Sequence, residues 1–365
     1  MRNTIDTIVT GDTILSRPVM LPTTQVELKQ LGWKQLDVVL VSGDTYIDSP
    51  YMGVAVIGRW LSYHGFRVGI IAQPNDSLDD GLEDIGRLGE PRLFWGVSAG
   101  AMDSMVANYT PLLKRRRSDD LTPGGVNDRR PDRACIVYSN LIRRKFKNTV
   151  PIVLGGVEAS LRRIAHYDYW SNRLRRSLLL DAKADILIYG QGELAVLELA
   201  RSLASAPLGA WVLAKIPGIC YLAKDVNAKF EELPSYQQIQ GLDGRQAFEN
   251  MFEIFYKRWP YQGLYQKYDN RYLIHNPPAR SLTSDELDLI HELPYTRDTH
   301  PHYASAGKVV ANDTIKFSVT THRGCYGECN FCAIAVHQGR KIISRSKESI
   351  LREIGHLATH VDFKG

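Results

Sequence analysis

Three cysteines near the end of the chain are the residues best suited to chemistry. Cys325, Cys329 and Cys332 follow the spacing C-x3-C-x2-C, so their thiols fall within one short loop. Such a loop can bring three sulfurs together without distant sequence, and thiolates favour zinc or iron-sulfur centres. A single cradle of three thiols leaves one coordination position unfilled. We therefore predict that the three cysteines hold a [4Fe-4S] cluster.

A zinc site is the alternative reading of the same residues. His337, five residues after Cys332, could complete a Cys3His set, and the chain would then be a non-catalytic zinc module. Closed zinc sites normally come as two ligand pairs separated by a linker, so the single cradle favours iron-sulfur. Cys135 and Cys220 lie in apolar runs, and we expect them to be buried core residues.

A second pattern is typical of serine hydrolases. Gly96-Val97-Ser98-Ala99-Gly100 matches the nucleophile elbow G-x-S-x-G, between a predicted strand and a predicted helix. No HGGG-type oxyanion loop accompanies it, and no spacing supports a triad. The nominal partners are Asp168, Asp185, His275 and His291.

The charge is unevenly distributed. The net charge is +5, but residues 114–176 hold 16 Lys and Arg against 6 Asp and Glu. A basic segment of this kind, which includes Arg115, Arg116 and Arg117, could bind the phosphates of RNA. A solvated face or a set of internal ion pairs would give the same composition.

The preceding sequence alternates short β-branched runs with amphipathic stretches. The runs at residues 37–41, 67–71, 93–97, 151–154 and 185–189 predict buried strands. Residues 53–64 and 192–204 predict helices between them. We therefore predict an α/β fold with an open, parallel, Rossmann-like sheet over residues 36–240, preceded by an N-terminal extension over residues 1–35.

Parallel sheets bind ligands beyond the carboxyl ends of their strands. Glycines follow several predicted strands here, and glycine lets a ligand approach the backbone closely. The predicted ligand crevice consists of Gly155, Gly156, Gly190, Gly192 and Glu193. The segment from Gly190 also imitates a dinucleotide fingerprint, but no acidic residue ends a following strand at the required distance.

The last part of the chain must position the cysteines. Polar-aromatic segments at residues 248–259 and 261–272 predict a helical connector, which with a linker covers residues 241–312. Residues 315–320 alternate like a strand that runs into the cysteine loop, and residues 347–359 predict a helix capped by Ser346. A second strand is predicted at residues 361–363. Residues 313–365 therefore predict the first βα unit of a (β/α) barrel.

The cysteine segment resembles the radical S-adenosylmethionine (SAM) superfamily. The resemblance rests on the cysteine spacing, on Phe331 before the last cysteine and on the lead-in Thr321-His322-Arg323-Gly324-Cys325. It implies that the unligated iron of the cluster chelates SAM, that an electron from an external donor cleaves the carbon-sulfur bond, and that Phe331 contacts SAM. The implied product is a 5′-deoxyadenosyl radical.

Nearly the whole chain resembles the YgiQ family of radical SAM proteins, whose reaction and substrate are unknown. Six segments carry the likeness: residues 41–48, 69–74, 155–163, 166–170, 293–297 and 300–301. The resemblance implies a cobalamin-binding-like domain followed by a partial barrel. Cobalt-ligating domains carry D-x-H-x-x-G, whereas Asp44-Thr45-Tyr46 and Asp48-Ser49-Pro50 offer no histidine, which argues against bound cobalamin.

Length and hydropathy complete the expectations. A (β/α) barrel needs roughly 200 residues or more, so we expect the barrel to be truncated and the chain to be a fragment that is inactive alone. Residues 1–10 do not form a signal segment, and no apolar run has the roughly 20 residues needed to cross a bilayer. We therefore expect a cytoplasmic protein without a membrane partner.

Overall fold

A nine-stranded sheet runs through most of the computed structural model, which describes residues 19–206, 209–258, 261–327 and 329–364. Residues 1–10, for which we predict no signal segment, lie outside the described residues. The strands of this sheet are β1 (Val38–Ser42), β2 (Val68–Ala72), β3 (Phe94–Ser98), β4 (Ile152–Gly155), β7 (Ile186–Ile188), β8 (Ile219–Ala223), β9 (Glu231–Leu233), β10 (Leu264–Tyr268) and β11 (Arg271–His275). Four further strands form two small hairpins: β5 (His166–Asp168), β6 (Arg173–Arg175), β12 (His322–Arg323) and β13 (Ile343–Ser344).

The first half of the sheet is parallel. Its strand order is β2-β1-β3-β4-β7, and each of these neighbours pairs in parallel. All five predicted strands are present within one or two residues of their predicted bounds. The α/β prediction of a Rossmann-like sheet is therefore confirmed.

The second half of the sheet is mainly antiparallel and was not predicted. β8 pairs antiparallel with β7, and β11 and β10 form an antiparallel hairpin next to it. The prediction of a helix at residues 261–272 is therefore wrong. The side chains of β10 alternate between buried and more exposed positions, which is the period of a strand packed on one face.

Helices connect the strands and cover both faces of the sheet. They are α1 (Gln25–Gln30), α2 (Gly53–Tyr63), α3 (Leu78–Gly86), α4 (Ser104–Asn108), α5 (Ala134–Lys145), α6 (Gly156–Leu161), α7 (Leu178–Asp181), α8 (Glu193–Ser205), α9 (Ala210–Leu213), α10 (Tyr236–Gln240), α11 (Gly244–Arg258), α12 (Ser284–Glu292), α13 (Pro301–Ala304), α14 (Ala311–Ile315), α15 (Ile334–Gln338) and α16 (Lys347–Ala358), with a 3-10 turn at Pro123–Gly125. The predicted helices over residues 53–64 and 192–204 are confirmed as α2 and α8. In the connector, α11 confirms the helix predicted from residue 248, although Trp259 lies outside the described residues.

The sheet separates two apolar cores. Val39 and Val41 of β1 face one core, and Val38 and Leu40 face the other. Strands that are buried on both faces need continuous apolar runs, and this is why the runs were visible in the sequence.

The cysteine segment, residues 313–364, differs from its prediction at two places. The prediction of a strand at residues 315–320 is wrong. Helix α14 ends at Ile315, and the backbone carbonyls of residues 316, 318 and 320 accept hydrogen bonds from the side chains of Arg297 and Arg345 and not from a neighbouring strand. The strand at residues 361–363 is also wrong, since the Phe363 amide donates to the His360 carbonyl in a turn. The helix capped by Ser346 is confirmed, and Ser346 Oγ accepts from the Ser349 amide at 3.1 Å.

No helix of the described residues is both long enough and apolar enough to cross a bilayer.

Candidate functional site

A cavity of about 420 Å³ lies at the carboxyl ends of the parallel strands. The ends of β1, β3, β4 and β7 form one wall, and the cysteine segment forms the other through Thr320, His322, Arg323, His337 and Gln338. The predicted crevice residues all line this cavity: Gly155, Gly156, Gly190, Gly192 and Glu193. The structure therefore brings them together as expected, and ligand binding by them stays a prediction.

Two glycines are required by the shape of this wall. Gly156 has φ +82°, and a Cβ there would lie 2.6 Å from Ser98 Oγ. Gly100 has φ +109°, and a Cβ there would collide with the carboxylate of Asp44. A larger residue at either position would strain the backbone and displace the neighbouring side chain, Ser98 or Asp44.

A buried charge cluster supports the loop after β1. Arg130 is fully buried, pairs with Asp44 and lies 3.0 Å from Asp119. Burial raises the pKa of Asp44, although Arg130 opposes the shift. Burial alone would lower the pKa of Arg130, but the two carboxylates raise it. The guanidinium therefore stays charged and fixes the loop that borders the cavity.

Three contacts, which we call the docking contacts, attach the cysteine segment to the nine-stranded sheet and the helices that cover it. We call this larger region the sheet domain. Glu193 pairs with Arg323, which lies just before the cysteine loop. Gln191 Nε2 donates to the Gln338 carbonyl at 2.6 Å, and Ser160 Oγ lies 2.9 Å from His337 Nδ1. Glu193, one of the predicted crevice residues, therefore forms an ion pair within the protein and also lines the cavity.

The environment of His337 favours its neutral form. Burial, assisted by Arg163 and Arg323 and opposed by Glu193, lowers the pKa of His337 to about 4. A neutral imidazole can share a hydrogen bond with Ser160, whose Oγ also accepts from the Gly190 amide at 3.0 Å. His337 therefore contacts the sheet domain, and this arrangement does not favour the Cys3His zinc alternative.

The cysteine loop itself is held at its base by backbone contacts. The Cys325 amide donates to the Gly339 carbonyl at 3.0 Å, and the Cys332 amide donates to the Cys329 carbonyl at 2.9 Å. A Cβ on Gly327 would lie 3.4 Å from Cys325 Sγ and 3.7 Å from Cys329 Sγ. Gly327 therefore lies close to two of the three thiols.

The three loop cysteines differ from the other two in exposure. Cys329 is exposed and Cys325 and Cys332 are half-buried, whereas Cys135 and Cys220 are confirmed as buried core residues. Burial raises the pKa of Cys220 to about 12, which keeps that thiol protonated and inert. Phe331, in the same loop, is 92% exposed.

Convergence of the ligands distinguishes one metal ion from a cluster. Across the described ranges, no three His, Cys, Asp or Glu side chains converge on a point that could hold a single metal ion. A [4Fe-4S] cluster takes each thiolate on a different iron, so it does not require its ligands to meet at one point. Three thiols on one short loop are a donor set that a cluster could use, and cluster binding by them stays a prediction.

The hydrolase alternative is not favoured. Ser98 Oγ accepts a hydrogen bond from the Gly100 amide at 3.1 Å, within its own turn. Asp168 instead pairs with Arg133 at 2.6 Å, and His275 accepts from Arg163 Nε at 3.0 Å. These partners are engaged away from the serine.

Much of the basic segment is used inside the protein. Arg130, Arg133, Arg143 and Arg162 each pair with aspartate, at 2.9 Å for Arg143 with Asp185 and 2.6 Å for Arg162 with Asp103. This agrees with the alternative of internal ion pairs. RNA binding stays a prediction.

The contact between two of the segments that resemble the YgiQ family was not predicted from the sequence. Asp48 pairs with Arg59 and accepts from the Thr296 amide at 2.9 Å, and Tyr46 stacks on His300 at 5.6 Å. The segments 41–48 and 293–301 both carry the resemblance but contain no candidate catalytic or ligand residue. This combination was a signal that the segments contact each other.

Comparisons with known proteins identify a matching family model and similar proteins. The family model described as Radical SAM N-terminal matches residues 20–318. A UPF0313 protein of Fusobacterium nucleatum is 54% identical over 349 residues, which cover 94% of this chain and 60% of that protein. A UPF0313 protein of Methanocaldococcus jannaschii is 45% identical over 354 residues, which cover 95% of this chain and 56% of that protein. This chain thus spans at most 60% of either relative.

The chain also superposes on a solved structure. TsrM, a radical S-adenosylmethionine methyltransferase from Kitasatospora setae, gives a TM-score of 0.45 at 18% identity, over 88% of this chain and 45% of that chain. Another TsrM structure, with cobalamin and a [4Fe-4S] cluster bound, gives a TM-score of 0.43. The family assignment rests on the sequence matches. As the resemblance to YgiQ proteins predicted, this chain belongs to the radical SAM N-terminal family.

Proposed function

We propose that this chain is part of a radical SAM enzyme in which Cys325, Cys329 and Cys332 hold a [4Fe-4S] cluster. When bound, the cluster would supply the electron, received from an external donor, that reductively cleaves SAM. The observation that carries the proposal is the position of the cysteine loop. His322, Arg323, His337 and Gln338, which flank the loop, also line the cavity at the end of the sheet.

The residues around the loop would hold it in place. Arg323 lies before Cys325 and is fixed by Glu193, while Gln338 lies after Cys332 and is fixed by Gln191. Both ends of the loop are therefore attached to the sheet domain. Held at both ends, the loop loses less entropy when its thiolates are ligated.

The cavity is the proposed site of the second reactant. Gly155, Gly156, Gly190 and Gly192 leave backbone accessible at its wall, and Phe331 is the proposed contact with SAM on the loop side. Tyr46 stands in the loop that would carry a cobalt-ligating histidine, and its hydroxyl donates to Asp48 at 3.1 Å in the interior. We therefore expect no ligation of cobalamin through this loop. We expect the protein to act in the cytoplasm.

Anaerobic reconstitution tests the cluster. We expect about four iron and four sulfide per chain, and loss of both in Cys325→Ala, Cys329→Ala or Cys332→Ala. Cys220→Ala is the matched control, because Cys220 is buried in the sheet and should leave the cluster unchanged. About one zinc per chain without sulfide would contradict the proposal and favour the structural metal.

Turnover is the second test. SAM must be positioned by more than the cluster loop, and positioning a reactant is worth several powers of ten in rate. We expect this chain to form little 5′-deoxyadenosine with dithionite, and a chain extended to the length of the relatives to form much more. Equal turnover by both would mean that the described residues already provide the whole SAM site.

A further inference from the structure

A second cavity, of about 360 Å³, lies in the basic segment. Its walls include two aromatic residues, Tyr109 and Trp170, and three arginines, Arg133, Arg173 and Arg175. The volume lies near the lower end of the roughly 300–1,000 Å³ typical of small-ligand sites. The function proposed above does not use this cavity.

The aromatic wall is held in place by neighbouring residues. The ring centroids of Tyr109 and Trp170 lie 5.6 Å apart, with an interplanar angle of 43°. The Tyr109 hydroxyl donates to Asp132 at 2.7 Å, and Tyr169 packs edge-on against Trp170 at 5.4 Å. Both aromatic rings are half-buried, so the cavity offers a planar group a fixed apolar surface.

The arginines leave this wall positive. Arg133 pairs with Asp168, and its Nε is buried with no hydrogen-bond partner among the described residues. Arg175 lies 3.9 Å from the same carboxylate and 2.9 Å from Asp181. Arg173 is exposed, and within the described ranges it has no ion pair.

One carboxylate also lines the cavity but is already engaged. Asp132 accepts from Asn108 Nδ2 at 2.9 Å and from the Tyr109 hydroxyl, and lies 3.8 Å from Arg115. Its charge is therefore largely satisfied within the protein. Within the described part of the chain, Arg173 has no ion pair and Arg133 Nε has no hydrogen-bond partner, and these two lining residues favour an anion.

We propose that this cavity binds a nucleotide, with the base against Trp170 and the phosphate at Arg133 and Arg173. Base stacking on an aromatic ring together with arginine-phosphate contacts is the recognised way in which proteins hold single nucleotide units. The loop beside the cavity carries Arg116 and Arg117, which have no ion pair among the described residues and could contact flanking phosphates. The nucleotide is either free or one unit of a single-stranded RNA.

Calorimetric titration at low salt tests the proposal with two probes, adenosine 5′-monophosphate and a single-stranded RNA decamer. We expect saturable binding of at least one probe, with Arg173→Ala and Trp170→Leu each weakening it about tenfold. Arg144→Ala is the matched control, since Arg144 is exposed, outside the cavity and loses the same charge. We expect it to change affinity less than twofold.

The two probes separate the sources of the nucleotide. Binding of the monophosphate with unchanged affinity in Arg117→Ala indicates a free nucleotide, while tighter decamer binding that Arg117→Ala weakens indicates RNA. Absence of binding by both probes, or equal weakening by Arg144→Ala and Arg173→Ala, would overturn the proposal. Circular dichroism of each variant establishes that it is folded, and the measurement needs no cluster.

Discussion

The sheet domain and the cysteine segment are built in opposite ways. In the sheet domain, apolar side chains from both faces of the strands fill two cores. In residues 313–364, the described residues bury only two apolar side chains, Ala335 and Leu357. The sheet domain is thus stabilised by area removed from water, and the cysteine segment must be held by something else.

Polar contacts take the place of a core in the cysteine segment. Glu353 of α16 is buried and accepts from both Arg297 of the linker and Arg345. Arg345 Nη2 also donates to Ser349 Oγ at 2.7 Å. Directional contacts specify one position for a segment but add little stability of their own, because desolvation offsets most of their attraction.

Removing Glu353 should produce the largest effect. Glu353→Ala leaves two buried arginines without their shared carboxylate, a change that costs about 3–5 kcal/mol. We expect residues 313–364 to become accessible to protease and to hydrogen exchange while the sheet remains folded. Glu348→Ala, on the exposed first turn of the same helix, is the matched control. Global unfolding by Glu353→Ala would show that the two regions are not separate.

Truncation of a four-carbon side chain to alanine should cost very different free energies of unfolding in the two regions. Leu154→Ala, in a fully buried strand position, should lower the free energy of unfolding by about 2–5 kcal/mol. Ile354→Ala, at a position 47% exposed on α16, should change it by about 0.5 kcal/mol or less. Chemical denaturation measures both. A large loss for Ile354→Ala would indicate an apolar partner for α16.

Acid should weaken the docking contacts before it unfolds the sheet. The pKa of His337 is lowered to about 4 by burial, whereas an undocked histidine titrates near 6.5. The undocked form therefore takes up a proton first, and docking should weaken as pH falls from about 6.5 to about 4. Hydrogen exchange of residues 329–364 measures this effect.

His337→Asn serves as the comparison for the pH experiment, because asparagine can bond to Ser160 but does not titrate. We expect a smaller change over the same pH range in this variant. His291, whose burial lowers its pKa to about 3, contributes equally to both proteins. Identical pH profiles would mean that His337 does not couple docking to protonation.

The sequence was informative where one local rule decides the structure. β1 and β4 were visible because strands buried on both faces need unbroken apolar runs. The cysteine pattern was visible because all three residues lie in one short loop, and their role as ligands stays a prediction. Ser346 was recognised as a helix cap from the polar residue before an amphipathic run.

The sequence misled where distant partners decide the structure. The alternation of residues 315–320 is strand-like, but the carbonyls of Lys316 and Ser318 bond to Arg297, which no local pattern shows. In α16, Leu351 and Ile354 are exposed and Glu353 is buried, which is the reverse of what their side-chain types indicate. The pair of Arg297 and Glu353 lies far apart in sequence, so burial of a charge could not be anticipated from spacing.

The cavity at the end of the sheet has one wall in each region, and this makes occupancy and docking linked quantities. A ligand that contacts both Gly156 and Arg323 binds only the docked arrangement, so it stabilises docking by RT ln(1 + [L]/Kd). At a concentration one hundred times Kd, that amounts to about 2.7 kcal/mol. By the same reciprocity, any bound group that favours docking makes the ligand bind more tightly. Docking of the cysteine segment is therefore an equilibrium, and each group that binds between the two walls shifts it toward the docked state.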